Sequence, residues 1–244
     1  MQALNSPDFL SLWENGQRLH PLDRGLLAIQ ASLSQEDRLE TEKPVADWPL
    51  GRRNRALARL RTLYFGPYLQ GWTVCTKCGE QLEFKLDCRT LEESPQPQPD
   101  LRVSAKGAIF RLPTSRDLAR IAGESDVSQA ALTLLSRCEV EQTPDAPGEK
   151  MERWSTDAIE EISAKMAESD PLAEISVCFD CPICHHTSEE DLDLPSFLWT
   201  EIESRARRLI SEVHALATAY GWAESMILSM SDVRRAAYLR MVQA

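Results

Sequence analysis

Long apolar runs are missing from this sequence: no stretch of the 244 residues approaches the roughly 18 consecutive apolar residues that a membrane helix needs. The start, MQALNSPDFLSLWENG, has neither the basic nor the apolar region of a signal peptide, so synthesis and assembly in the cytoplasm are expected. There is no GxSxG, no HExxH and no glycine-rich phosphate loop, and nothing else in the chain points to an enzyme. Positive charge is also short. A net charge of -11 argues against wrapping nucleic acid, which draws its affinity from phosphate contacts by Lys and Arg.

What charge there is lies unevenly. Residues 51–72 hold Arg52, Arg53, Arg55, Arg59 and Arg61 with no acid, whereas residues 139–193 hold sixteen Asp and Glu against three Lys and Arg. Two faces of opposite sign could dock to neighbouring subunits or to each other, or simply be solvated. The arginines precede a cysteine pair, so a nucleic-acid-binding zinc ribbon stands as the alternative function.

The periodicity is mostly helical. Leu22, Leu26, Ile29 and Leu33 recur on one helix face, and Leu57, Leu60 and Tyr64 mark a second helix over residues 52–65, with an arginine-rich outer side and an end at Gly66-Pro67. EQLEFKLD alternates as a half-buried strand, ESPQPQPD reads as a linker, and LRVSAKGAIFRLP as two strands turning at Lys106-Gly107. Thr114 or Ser115 should cap the helix SRDLARIA, and VSQAALTLLSRC should form the next one. Residues 139–150, acidic with two prolines, read as a loop. Ser155 opens a helix through Ile159, Ile162 and Met166, and AEISVCFD alternates as a strand. Leu198, Ile202, Leu209, Val213, Leu216 and Tyr220 form a continuous stripe over about six turns, closed by Gly221, with two short helices after it.

Seven cysteines are an odd number, and five lie in two tight clusters, VCTKCGE and VCFDCPICHH, unlike a disulfide framework. In Cys75-Thr-Lys-Cys78-Gly79 a tight turn can present both sulfurs to one ion, and the glycine permits the positive dihedral of that turn. A second pair, Cys181-Pro-Ile-Cys184, completes a closed tetrahedral site for one structural zinc ion. Cys178 also stands before Cys181 with two residues between them and competes for a place in the quartet; His185 and His186 are weaker candidates. Cys88 and Cys138 suit core positions, and His20 and His214 are isolated, His214 suiting packing or a helix–helix hydrogen bond. The first pair is expected to be entered from a helix or loop, the second from a strand. Between Cys78 and Cys181 lie 102 residues, where a compact ribbon has roughly 10 to 20.

The fold expected is therefore α+β and mostly helical, with a split zinc ribbon and a small inserted β-containing domain. Its parts are an N-terminal helical segment (1–72), two ribbon halves (73–92 and 173–194), an inserted α/β segment (100–172) and a C-terminal helical segment (195–244). By closing so long a loop, the metal would act as a crosslink.

Four stretches carry a resemblance: WPLGRRNRALARLRTLYFGPYLQGWTVCTKCGEQLEF, FRLPTSRDLARIA, FDCPICHH, and FLWTEIESRARRLISEVHALATAYGWAESMILSMSDVRRAAYL. Together they resemble a family of baseplate-associated proteins encoded with phage-tail-like contractile injection systems, itself distantly similar to a baseplate hub protein family of contractile-tailed phages. The resemblance implies a structural or assembly role where tail tube, spike and sheath meet, with baseplate or tail proteins as partners and a place in a released tail-like particle open. It carries over Cys75, Cys78, Cys181 and Cys184 as metal ligands. The family's second knuckle looks like CPxCG; here His185 stands in the glycine position. Trp222, Met226, Met230, Tyr238 and Met241 offer groups suited to a partner surface or to packing within the chain.

Overall fold

A computed structural model of the chain describes residues 1–40, 43–95, 101–142 and 154–243. The fold is α+β and mostly helical. Three helices, α1 (Ser6–Gly16), α2 (Pro21–Ser32) and α3 (Gln35–Glu40), precede a 3-10 turn at Val45–Asp47 and the helix α4 (Leu50–Phe65). A hairpin, β1 (Tyr68–Val74) and β2 (Gln81–Asp87), follows, then α5 (Cys88–Glu93). A second unit contains β3 (Arg102–Ala105), β4 (Ala108–Arg111), α6 (Ser115–Ile121), α7 (Val127–Cys138), β5 (Glu139–Gln142) and α8 (Thr156–Ser169). A further hairpin, β6 (Ser176–Asp180) and β7 (Thr187–Asp191), leads into the long helix α9 (Leu194–Tyr220), and α10 (Glu224–Leu228) and α11 (Asp232–Gln243) close the chain.

The main hydrophobic core joins the two ends of the sequence. Phe9, Ile29, Leu57 and Leu60 from α1, α2 and α4 meet Leu194, Leu198 and Ile202 of α9, all essentially without solvent exposure. Each such side chain removed from water contributes about 1.5–3 kcal/mol before entropy is counted. Close approach is part of the packing: a Cβ on Gly16 would lie 2.0 Å from the Trp199 ring. A second, separate core belongs to the unit between the hairpins and gathers Val103, Phe110, Leu135, Cys138, Trp154 and Ile162. Its sheet has the order β3-β4-β5, all antiparallel.

One buried carboxylate fastens that second unit. Asp117 accepts hydrogen bonds from Arg111 Nη1 and Nη2 (2.6 and 2.9 Å), from Arg137 Nε (2.9 Å) and from the Thr114 hydroxyl (2.8 Å). Burial alone would raise the Asp117 carboxyl, but Arg111 and Thr114 hold it down at about 2. Thr114 is the N-cap of α6, as expected from the sequence.

Three expectations need correction. The segment read as a loop over residues 139–150 begins as strand β5, because the backbone of Glu139–Gln142 pairs with β4 whatever its acidic side chains prefer; residues 143–150 lie outside the described ones, as do residues 96–100 of the proline-rich stretch. The first cysteine pair is entered from a strand and not from a helix or loop: β1 pairs with β2 over its full length, Tyr68 opposite Asp87 through Val74 opposite Gln81. The arginines of α4 do not form a single outer side. Arg53 and Arg61 are buried, Arg52 stacks on the Trp48 ring at 4.1 Å, and Arg55 donates to the carbonyls of Glu92 and Ser94.

Buried arginine is tolerated where its donors find oxygens. Arg61 forks onto Glu201 of α9 (3.1 and 2.8 Å) and donates to the Gly66 carbonyl (2.6 Å). Beside Arg53, Asn54 donates to the carbonyls of Leu172 and Ala173, and the Gly51 amide donates to Asp170 Oδ2 at 2.9 Å. These bonds dock the chain leaving the inserted unit onto the start of α4. Burial raises the Asp170 carboxyl above its ordinary range.

Candidate metal centre

Each cysteine pair sits at the tip of a hairpin, and the two tips share one backbone pattern. In the first, Cys75 N–H donates to the Glu80 carbonyl (2.8 Å) and Gly79 N–H to the Cys75 carbonyl (2.9 Å). In the second, Cys181 N–H donates to the His186 carbonyl and His185 N–H to the Cys181 carbonyl, both at 3.0 Å. The position after the second cysteine is left-handed in both, with φ 78° at Gly79 and 54° at His185. Histidine therefore occupies a conformation that glycine adopts without steric cost, and the knuckle keeps its shape at roughly 1 kcal/mol.

The hairpins face each other through their inner surfaces. Leu82 and Phe84 of β2 pack against Val177 and Phe179 of β6, with the Phe84 and Phe179 rings edge-on at 5.5 Å. This contact brings the tips together. Cys75 Sγ lies 3.6 Å from Cys184 Sγ and Cys78 Sγ 3.5 Å from Cys181 Sγ; all four sulfurs fall within 4.8 Å of one another. A tetrahedron with metal–sulfur bonds near 2.3 Å has edges of about 3.8 Å, so the quartet has the size that a single zinc ion requires.

The electrostatics fit a cation as well. Backbone N–H groups of Cys78 and Lys77 hold the Cys75 thiol down at about 7. For Cys78 the Glu80 amide also favours the thiolate, yet desolvation and the neighbouring sulfurs outweigh it and push the thiol up to about 12. Four adjacent sulfurs cannot all carry charge unless a positive ion sits among them. The residues therefore suit a thiolate-bound metal. Four protein ligands leave no open coordination position for a substrate.

Other candidates fall outside the quartet. Cys178 is an outward-facing residue of β6, opposite Glu189, and is exposed. His185 is exposed and His186 half-buried; neither joins the sulfur cluster. Cys88 and Cys138 are fully buried, and burial raises both thiols. The His20 ring accepts the Leu22 amide at the start of α2, and His214 is exposed on α9 rather than packed between helices. Of the aromatic and sulfur-bearing residues near the C-terminus, Trp222 and Tyr238 pack with Tyr220 at ring distances of 4.5–5.9 Å, while Met226 and Met241 are exposed. Not foreseen from the sequence was β7, whose THR-SER-GLU-GLU-ASP run (Thr187–Asp191) has no apolar alternation.

No helix of the described residues is long and apolar enough to cross a membrane. Residues 35–199, more than half of the chain and spanning both hairpins, match the family model described as T4 bacteriophage base plate protein. No curated protein and no solved structure matches the chain.

Proposed function

Because the chain belongs to the T4 bacteriophage base plate protein family, we propose that it is a zinc-stabilised structural or assembly protein of the base plate of a phage-tail-like contractile injection system, acting through protein–protein contacts. The observation that carries this reading is the extent of the family match, which includes Cys75, Cys78, Cys181 and Cys184 together with the hairpins that hold them. Its partners are then other base plate or tail proteins. An all-thiolate quartet of this size favours zinc over harder divalent ions. When bound, zinc supplies four metal–sulfur bonds that lock the hairpins; the chain's part is to present the sulfurs at matched turns and to bury Cys75 and Cys181 beneath Leu82 and Phe179. We read the centre as structural and the protein as non-catalytic.

The alternative, a nucleic-acid-binding ribbon, rested on five arginines forming one cationic face. Arg53 and Arg61 are turned inward, Arg61 onto Glu201, so that face is divided. Deletion of the gene from a producing strain is expected to remove intact contractile particles from electron micrographs, and a tagged copy should co-purify with base plate components. Normal particles in the deletion strain would overturn the reading. Elemental analysis should give one zinc per chain.

A further inference from the structure

Beside the metal centre the two hairpins diverge and leave a groove with a volume of about 410 Å³. Its walls differ from its floor. From β1 four consecutive residues, Gln70 to Thr73, line it, and from β7 and the residue after it three consecutive ones, Glu190 to Leu192. Consecutive residues can line a cavity only where a strand presents its edge, because the two faces of a strand take alternate residues. The floor is made of alternate residues from the inner strands, Phe84, Val177 and Phe179, closed by Phe197 of α9.

Both edges are open. Among the described residues β1 pairs with β2 alone and β7 with β6 alone. The outward face of β1 carries exposed apolar side chains beside Gln70, with Tyr68 45%, Trp72 64% and Val74 45% exposed. A free strand edge with apolar side chains is a hazard unless a partner strand covers it. The charged lining of the groove has one sign: among the described residues Glu190 and Asp191 line it, and no Lys or Arg does.

We infer that this groove binds an extended segment of a partner protein, added as a strand along the edge of β1, with a large apolar side chain over Phe84 and Phe179 and a Lys or Arg beside Glu190 and Asp191. A seven-residue strand such as β1 spans about 23 Å and sets the length of the segment at about seven residues. Because the floor is shared between residues of both hairpins, the groove depends on the packing of Phe84 against Phe179 that holds the hairpins face to face. The inference deepens the reading of the protein as one that acts through protein contacts, and names the surface and the chemistry of the partner.

The test is selection of a combinatorial library of short peptides on the zinc-loaded full chain, with affinities of the recovered peptides measured by fluorescence anisotropy. Enriched peptides should carry Lys or Arg next to a large apolar residue. Their binding should weaken about tenfold or more in the Glu190→Lys, Asp191→Lys double variant and severalfold in Trp72→Ala, and should slow hydrogen exchange of β1 amides. Circular dichroism and zinc content, expected unchanged, establish that the variants are folded. Recovery of no peptide, recovery of acidic peptides, or equal binding by the charge-reversed chain would overturn the inference. Those failures would leave the base plate reading standing if the gene deletion still abolished particles, and normal particles would sink that reading whatever the peptides did.

Discussion

The two hydrophobic cores are built on opposite plans. The helical core draws side chains from Phe9 to Leu228, so it forms only after chain segments nearly the whole sequence apart have met. The core of the intervening unit lies between Val103 and Met166 and contains its own sheet and helices. Contacts distant in sequence carry a larger loop-closure cost. A crosslink between Cys78 and Cys181 helps the first core, because α1, α2 and α4 lie on one side of it in sequence and α9 on the other. It does little for the second, which lies wholly inside the closed loop.

Breaking the metal centre should separate the two cores most strongly. Cys78→Ser or Cys181→Ser is expected to release zinc and destabilise the helical core by about 5 kcal/mol, the chain-entropy value for a crosslink over roughly 100 residues. Hydrogen exchange should show faster opening of α1, α2 and α9 while β3, β4 and α7 stay protected. A full equivalent of zinc retained in both variants would show that other residues are the ligands.

Asp117→Asn strikes the other core. Removing the charge that Arg111 and Arg137 share should cost about 3 kcal/mol and open the inserted unit first. The same carboxylate sets a pH dependence. Its folded pKa of about 2 lies below the unfolded value near 3.9, so its stabilisation is present above pH 4–5 and is lost as pH falls toward 2, with a total of about 2–3 kcal/mol. Acid titration followed by exchange at α6 and α7 measures it; Asp117→Asn should flatten that part of the profile.

Gly16→Ala is a smaller test of the helical core. Its methyl group would fall 2.0 Å from Trp199, and forcing that ring aside should cost about 2 kcal/mol in a denaturant melt without altering the inserted unit. The smallest effect has the opposite sign. His185→Gly relieves a left-handed histidine and should raise stability by up to about 1 kcal/mol, leaving the zinc content at one per chain.

The sequence made some features plain and hid others for identifiable reasons. Helices α2, α8 and α9 follow from their apolar spacing, and their caps from Ser155 and Gly221, the latter left-handed at φ 68°. Strand β1 was hidden because Trp72 and Val74 make its outer face apolar and erase the alternation, although Tyr, Trp, Thr and Val are strand formers. Strand β7 was hidden because it is polar throughout and owes its form to pairing with β6. Arginine charge suggested an exposed side of α4, but the partners that let Arg53 and Arg61 turn inward, Ser115 and Glu201, lie 62 and 140 residues away. The spacing within each cysteine pair was legible; Cys184 differs from Cys178 in lying in the turn at the hairpin tip, whereas Cys178 faces outward from β6.

The fork of Arg61 onto Glu201 has a mechanical meaning. It ties α4 to α9 just before the chain departs at Gly66 and just after it returns at Leu194. Tension applied at the two ends of the protein would run from helix to helix through this pair and the surrounding core, as through a short circuit. The unit between Val103 and Met166, which has a core of its own, would hang from the line of force as slack, spared the load.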